Sequence, residues 1–318
     1  MLKFGGFLFY HGLLMRYPKP PLSFADQADL LLNRGLLADR SVLIDRLEAV
    51  NYYRLSAYWH TFRDPASITN QLLPGTALDT IWTRYAFDRQ LRLLVMDAIE
   101  RVEIAIRTQI VNRHVLVHGP FGYLDRAHLP GLSVDDHRKL LDKIRTEARL
   151  SQEEFVKHYF TTYTSETDLP LWMAAELMTF GSMLTLFKGV SSRLKKDVAL
   201  HYGLSVPVLG SWLKALNVAR NICAHHARLW NRTLGVKPML PDPVDYPNWY
   251  TPVPIPNDKV FGLLTVLYFL LQEAAPQSHW RDRLSELFAN YPAVPLNFMG
   301  FPNDWTNSPL WASVHSQP

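Results

Sequence analysis

LDTIWTRYAFDRQLRLLVMDAIERVEIAIRTQIVNRH, residues 78–114, contains neither proline nor glycine. Its apolar side chains recur at Leu91, Leu94 or Val95, Ala98, Val102, Ile106 and Ile110, the spacing that puts one stripe along an α-helix. At 1.5 Å per residue the stretch predicts a helix of roughly 50 Å. Its charges, Asp88, Arg89, Arg92, Asp97, Glu100, Arg101, Glu103 and Arg107, are of both signs. Glu103 with Arg107 is an i,i+4 pair in the favourable order, so this side reads as a solvated or self-paired face. Gly119 and Pro120 must end the helix. Alternating apolar patterns are almost absent elsewhere, so the expected fold class is all-α.

Outward from this helix, the 318 residues are 48% hydrophobic and 19% charged, the composition of a packed globular chain. A net charge of +4 permits association with nucleic acid without demanding it. The single cysteine, Cys223, excludes an intramolecular disulfide and a multi-cysteine zinc site, and suits a reducing cytoplasm. No stretch offers about 18 uninterrupted apolar residues, so no membrane-spanning helix is expected. The opening MLKFGGFLFYHGLL makes a poor secretory signal: His11 interrupts the apolar run and no small-residue cleavage site follows. Residues 1–16 read as a disordered extension or as a start placed too far upstream.

One all-helical domain over residues 17–318 is the simplest division. It comprises an N-terminal helical subregion (17–70), a core (76–235), a loop (236–257) and C-terminal helices with a tail (258–318). Ser23 and Asp39 are placed to cap the first two helices. NYYRLSAYWHTFR, residues 51–63, spaces its aromatic rings for burial. SQEEFVKHYF predicts a helix with Ser151 capping and Glu154 at the capping-box position. LPLWMAAELMTFGSMLTLFKGV, residues 169–190, predicts one nearly all-apolar helix after Pro170. Glu176 inside it would need a cationic or hydrogen-bonding partner, because burying a lone carboxylate costs several kcal/mol. Seven prolines from Pro238 to Pro256 exclude regular helix and predict a wrapped loop carrying Tyr246, Trp249 and Tyr250.

Chemistry concentrates in NVARNICAHHARLWNR, residues 217–232, on a helix expected to start at Ser205. Asn221, His225, Arg228 and Arg232 fall at i, i+4, i+7 and i+11, one polar stripe. Arg220 continues a different line, Leu209, Leu213 and Leu216. Val208, Trp212, Ala215, Ala219, Ile222 and His226 form the face expected to be buried. Arg220 and His225 stand about 140° apart around the axis and about 7.5 Å along it. Two copies related by a two-fold would bring both pairs round one groove, a site completed by dimerisation.

Arginine with histidine suits a phosphodiester. The guanidinium fork binds phosphate oxygens, and histidine moves protons near neutral pH. In RNA the 2′-OH supplies the nucleophile, so one histidine would take its proton and the other would protonate the leaving 5′-oxygen. The products would be a 2′,3′-cyclic phosphate and a 5′-OH, with no metal or other cofactor, and DNA would resist. Spacing alone leaves a structural histidine as the commoner explanation of such a pair. A metal enzyme built on His114 and His118, or on His225 and His226, is a further class, but no nearby acid completes a ligand set.

RNICAHHARLWNR resembles the Abi-like family of bacterial abortive-infection proteins (AbiD/AbiF type), and through it the HEPN superfamily. PKPPLSFADQADLLLNRGL, NYYRLSAYWHTFR, YAFDRQLRLLVMDAIERVEIAIRTQI, HGPFGYLD, EEFVKHY, LPLWMAAELMTFGSM and MGFPNDW extend the similarity over most of Tyr17 to Trp311. The resemblance implies a HEPN-like helical bundle, a homodimer and a metal-independent ribonuclease acting in phage defence. By position, the motif arginine is Arg220, its polar follower Asn221 and the motif histidine His225. His226 is expected to support the site from the buried face. Glu176 resembles the polar residue that HEPN proteins place on a neighbouring helix, with Arg220 as its expected partner. Arg228 and Arg232 are expected to contact the RNA backbone. The resemblance also implies restraint by a regulatory RNA, an antitoxin-like protein or an autoinhibited dimer. A non-catalytic HEPN-type module that binds RNA or protein is the alternative.

Overall fold

The computed structural model describes residues 20–312, and these hold twelve α-helices and no strand. The fold is all-α, as the long unbroken helix demanded. The reading of residues 1–16 lies outside the described residues. None of the described helices is long and apolar enough to cross a membrane.

The chain divides into two compact units, one ending at Trp82 and one beginning at Thr83. In the first, α1 (Phe24–Asn33) starts at Ser23, whose hydroxyl accepts from the Asp26 N–H while the Asp26 carboxylate accepts from the Ser23 N–H. This reciprocal cap is why the helix begins there. It stops at Asn33, as the chain turns through Gly35 at φ +89°. Asp39 caps α2 (Arg40–Val50) by accepting from the Ser41 and Val42 N–H groups. In α3 (Tyr52–Trp59) Tyr58 and Trp59 are buried, but Tyr53 faces solvent, so the aromatic run is core only in part.

The second unit is organised on α4, Leu78–His118, which begins in the last residues of the first unit. Leu91, Val95, Ala98, Val102, Ile106 and Ile110 are all buried, and each of them but the small Ala98 is worth about 1.5–3 kcal/mol against exposure. Around it follow α5 (Val134–Leu150), α6 (Glu154–Thr162), α7 (Leu171–Glu176), α8 (Phe180–Gly189), α9 (Ser192–His201), α10 (Val206–Ala224), α11 (Val260–Ala274) and α12 (Trp280–Asn290). α10 packs on α8, α9 and α11. The α12 segment is fixed to α4 by Trp280 Nε1, which donates to the Leu94 carbonyl at 2.8 Å, and by Arg283, which pairs with Asp97.

Two expectations need correction here. The single helix over 169–190 is two, because the Thr179 hydroxyl accepts from the Ser182 N–H and starts α8 afresh. Ser151 does not cap α6 in the expected register: its hydroxyl accepts from the Glu153 N–H, and Glu153 occupies the cap position. The proline-rich segment is irregular apart from a short turn at Pro247–Trp249. Trp249 is buried against Trp212 with ring centroids 5.3 Å apart, and Tyr250 donates to the Pro241 carbonyl at 2.6 Å. The loop is thus wrapped onto α10 by its aromatic side chains.

Candidate functional site

The site is built where α10 ends beside the middle of α4. Along α10, Leu209, Leu213 and Leu216 are fully buried, and the next member of that line is Arg220, which is half-buried. A guanidinium cannot join an apolar core at small cost, so it sits where the core opens into a cleft of about 470 Å³. Asp97, Glu100, Glu103 and Arg107 of α4 line that cleft together with Arg220, flanked by Leu93, Met96 and Ile104.

Glu103 is the anchor of this cluster. It accepts from Arg107 Nη2 at 2.7 Å, and the pair is 14% and 11% exposed. Burial pushes the Glu103 carboxyl above its ordinary range, against the pull of Arg107 and Arg220. Arg107 is held further by the Met178 carbonyl at 3.3 Å and by Glu176 at 3.7 Å. Arg220 Nη1 lies 3.4 Å from its neighbour's Asn221 Oδ1. The result is a carboxylate flanked by two guanidiniums in a partly desolvated cleft whose lining also carries Asp97 and Glu100. Arg220 makes no ion pair within 4 Å among the described residues, so its guanidinium fork is the group there that can take an anionic oxygen.

Glu176 is placed differently from the sequence reading. The break after α7 puts it at a helix end with its side chain 63% exposed, so it faces none of the burial cost expected of it. Its cation is Arg107, and the carboxylate beside Arg220 is Glu103 instead.

The end of α10 corrects a second expectation. The helix stops at Ala224, His225 is its C-cap residue, and His226 adopts φ +56°. The polar stripe from Asn221 through Arg232 is therefore not helical beyond His225, and its geometry does not carry Arg228 and Arg232 toward one face. Arg232 Nε donates to the Arg228 carbonyl at 2.7 Å, and both residues are half-buried. His226 is exposed and not on a buried face. His225 is exposed and is not among the residues lining the cleft that holds Arg220. One chain thus brings Arg220 and Asn221 together and leaves His225 at the helix end.

What turns the chain is Asp88 of α4, whose side chain is fully buried. Its carboxylate accepts from the Leu229 N–H at 3.1 Å and the Trp230 N–H at 2.6 Å, and pairs with Arg92 on the next turn of α4. A charge-assisted acceptor for two successive amides fixes the segment that follows the histidines, with Trp230 buried behind it. Asp88 and Arg92 are corrections to the solvated-face reading of α4. The signal was present in the spacing: Asp88 extends the buried line Leu91, Val95, Ala98 by one turn.

The paired histidines of α4 do not form a ligand set. His114 is fully buried and depressed to about 4, first by desolvation and then by His118 and His128. The His118 and His128 rings stack at 4.2 Å. Among the described residues no group of three or more His, Cys, Asp or Glu side chains is arranged to hold a metal ion.

The family profile described as Abi-like protein matches residues 45–231, more than half of the chain and inclusive of α4, the cleft and the end of α10. No curated protein and no solved structure matches.

Proposed function

Because the chain belongs to the Abi-like protein family, abortive-infection proteins of phage defence at the family level, we propose that it is a metal-independent endoribonuclease of the HEPN type. The observation that carries this reading is Arg220: an arginine at the end of an otherwise buried line, set in a cleft beside the Glu103 and Arg107 pair, five residues before a solvent-facing histidine that caps the same helix. Arg220 binds a non-bridging phosphate oxygen and offsets the charge that grows on phosphorus. His225 takes the proton from the ribose 2′-OH as the O2′–P bond forms. The His225 of a second copy protonates O5′ as the P–O5′ bond breaks. The products are a 2′,3′-cyclic phosphate and a 5′-OH.

A second copy is needed because one chain leaves His225 outside the Arg220 cleft. The cleft is bordered by Leu93 at 60% exposure and Ile104 at 50%, apolar side chains that a partner helix would cover. Asn221 supports Arg220, while Arg228 and Arg232 retain only their charge as an argument for contacting RNA. The separation of His225 from the cleft favours one other reading, a monomeric module that binds RNA or protein through the arginines without cutting.

The test is the chemistry of the product. Purified protein is incubated in EDTA with end-labelled RNA and with the same strand carrying a single 2′-deoxy substitution at the mapped cut. The proposal expects 5′-OH and 2′,3′-cyclic phosphate ends, and loss of cutting at the deoxy position. Chelator-sensitive cleavage with 5′-phosphate ends overturns it, and binding without cleavage favours the module.

A further inference from the structure

A groove of about 750 Å³ runs between α8, α9, the first turns of α10 and residues 236–239. Leu184, Val206, Pro207, Val236 and Met239 give it aliphatic walls, with Val236 38% and Met239 49% exposed. Lys188, Lys195, Lys214 and Lys237 stand around it. We infer that this groove is a docking site for an acidic, aliphatic segment of a partner protein, bound with its apolar side chains on the Met239 wall and its carboxylates toward Lys195 and Lys214.

The wall is pre-formed. Met239 is tied to α10 at both backbone groups, its N–H donating to Ser211 Oγ at 2.8 Å and its carbonyl accepting from Trp212 Nε1 at 2.6 Å. Its side chain is left standing at the groove, and methionine adapts to aliphatic partners of varied shape. Of the four lysines, Lys188 pairs with Asp136 at 2.9 Å and Lys237 lies 3.8 Å from Asp258. Lys195 and Lys214 have no ion-pair partner among the described residues, and burial with the neighbouring Lys188 lowers the Lys195 ammonium below its ordinary range. A carboxylate in the groove would relieve that. The same end of the groove is the start of α10, a helix of 19 residues whose cap residue Ser205 makes no side-chain hydrogen bond, so its positive end adds to the preference for an anion.

Residues 1–19 and 313–318 contain no aspartate or glutamate, so neither supplies the acidic segment. A peptide fits better than RNA. Phe187, the one aromatic side chain among the lining residues, is 6% exposed and offers no face for a base to stack on. Lysines supply point charges to carboxylates, and the aliphatic walls supply the affinity.

The full chain is titrated, by fluorescence anisotropy, into a labelled helical peptide with leucines at i, i+3, i+4 and i+7 and glutamates on the flanks. Expected is saturable binding, weakened about tenfold or more by Lys195→Glu with Lys214→Glu and by replacing the peptide's glutamates with glutamine. Bound peptide should also protect Lys195 and Lys214 from acetylation, read by mass spectrometry. Thermal melts that superimpose on the unsubstituted chain show that the variant is folded; if the double variant fails this, the acetylation footprint decides alone. The inference is overturned if the glutamine peptide binds as tightly, if the two lysines stay reactive in the complex, or if a 2′-O-methyl RNA of about 20 nucleotides is the ligand whose binding the two substitutions abolish.

Discussion

Replacing Asp88 by asparagine should loosen the segment that carries the chain away from the motif histidines. Asp88 is fully buried and serves Leu229 N–H, Trp230 N–H and the Arg92 guanidinium at once. Breaking a buried ion pair from one side costs about 3–5 kcal/mol. The asparagine oxygen still accepts from an amide, which avoids the further 1–3 kcal/mol or so of an orphaned buried donor. The expected loss is therefore at the lower end, about 3 kcal/mol. Against a total stability of about 5–15 kcal/mol that is a large fraction. Urea unfolding followed by tryptophan fluorescence, with a slope of about 3 kcal/mol per molar, should show the midpoint fall by about 1 M with the slope unchanged. Asp142→Asn on the exposed face of α5 should stay within about 0.5 kcal/mol. An Asp88→Asn midpoint indistinguishable from that control would refute the role given to this carboxylate.

Other outcomes follow from the same structure. His114 titrates near 6.5 when unfolded and at about 4 when folded. A depressed base stabilises the fold above the unfolded value and loses that contribution as pH falls toward 4. By linkage the loss between about pH 7 and about pH 5 is about 2 kcal/mol, and His114→Leu should flatten this part of the stability curve; a variant that keeps the full slope contradicts the assignment. Cys223 is buried and its thiol is pushed up to about 12, mainly by desolvation. A disulfide reagent should leave it unmodified in the native chain and label it stoichiometrically in urea, whereas rapid native labelling would contradict its burial. A methyl group on Gly262 would lie 2.1 Å from the Pro256 carbonyl, so Gly262→Ala should lower the melting temperature and cost about 1–3 kcal/mol by overpacking, and an unchanged melt would show that this backbone contact yields.

What the sequence disclosed and what it hid divide along a physical line. Periodicity announced α4 and α10 because one stripe of each is buried over many turns, and local capping announced Ser23 and Asp39 because the partner atoms are two or three residues away. The break at Thr179 was hidden by its apolar surroundings, although a threonine three residues before Ser182 is itself a cap signal. The end of α10 was less accessible. Neither proline nor glycine marks it, and the carboxylate that draws the chain off the helix comes from Asp88, far away in sequence. The same holds for Glu103 and Arg107: an i,i+4 pair reads as surface charge unless the helix that covers it is known. Arg220 and His225 were legible as residue types in a pattern, while the carboxylate beside Arg220 required the packing of α4 against α10.

The central claim is that Arg220 and His225 together cut RNA without a metal. Single-turnover cleavage of end-labelled RNA in EDTA, with Arg220→Ala and His225→Ala beside the unsubstituted chain, tests it directly. Each substitution should lower the rate by about a hundredfold or more, the usual range for a proton-transfer group or a transition-state charge contact, while the mass of the oligomer in solution stays the same. Cleavage that survives both substitutions would contradict the account.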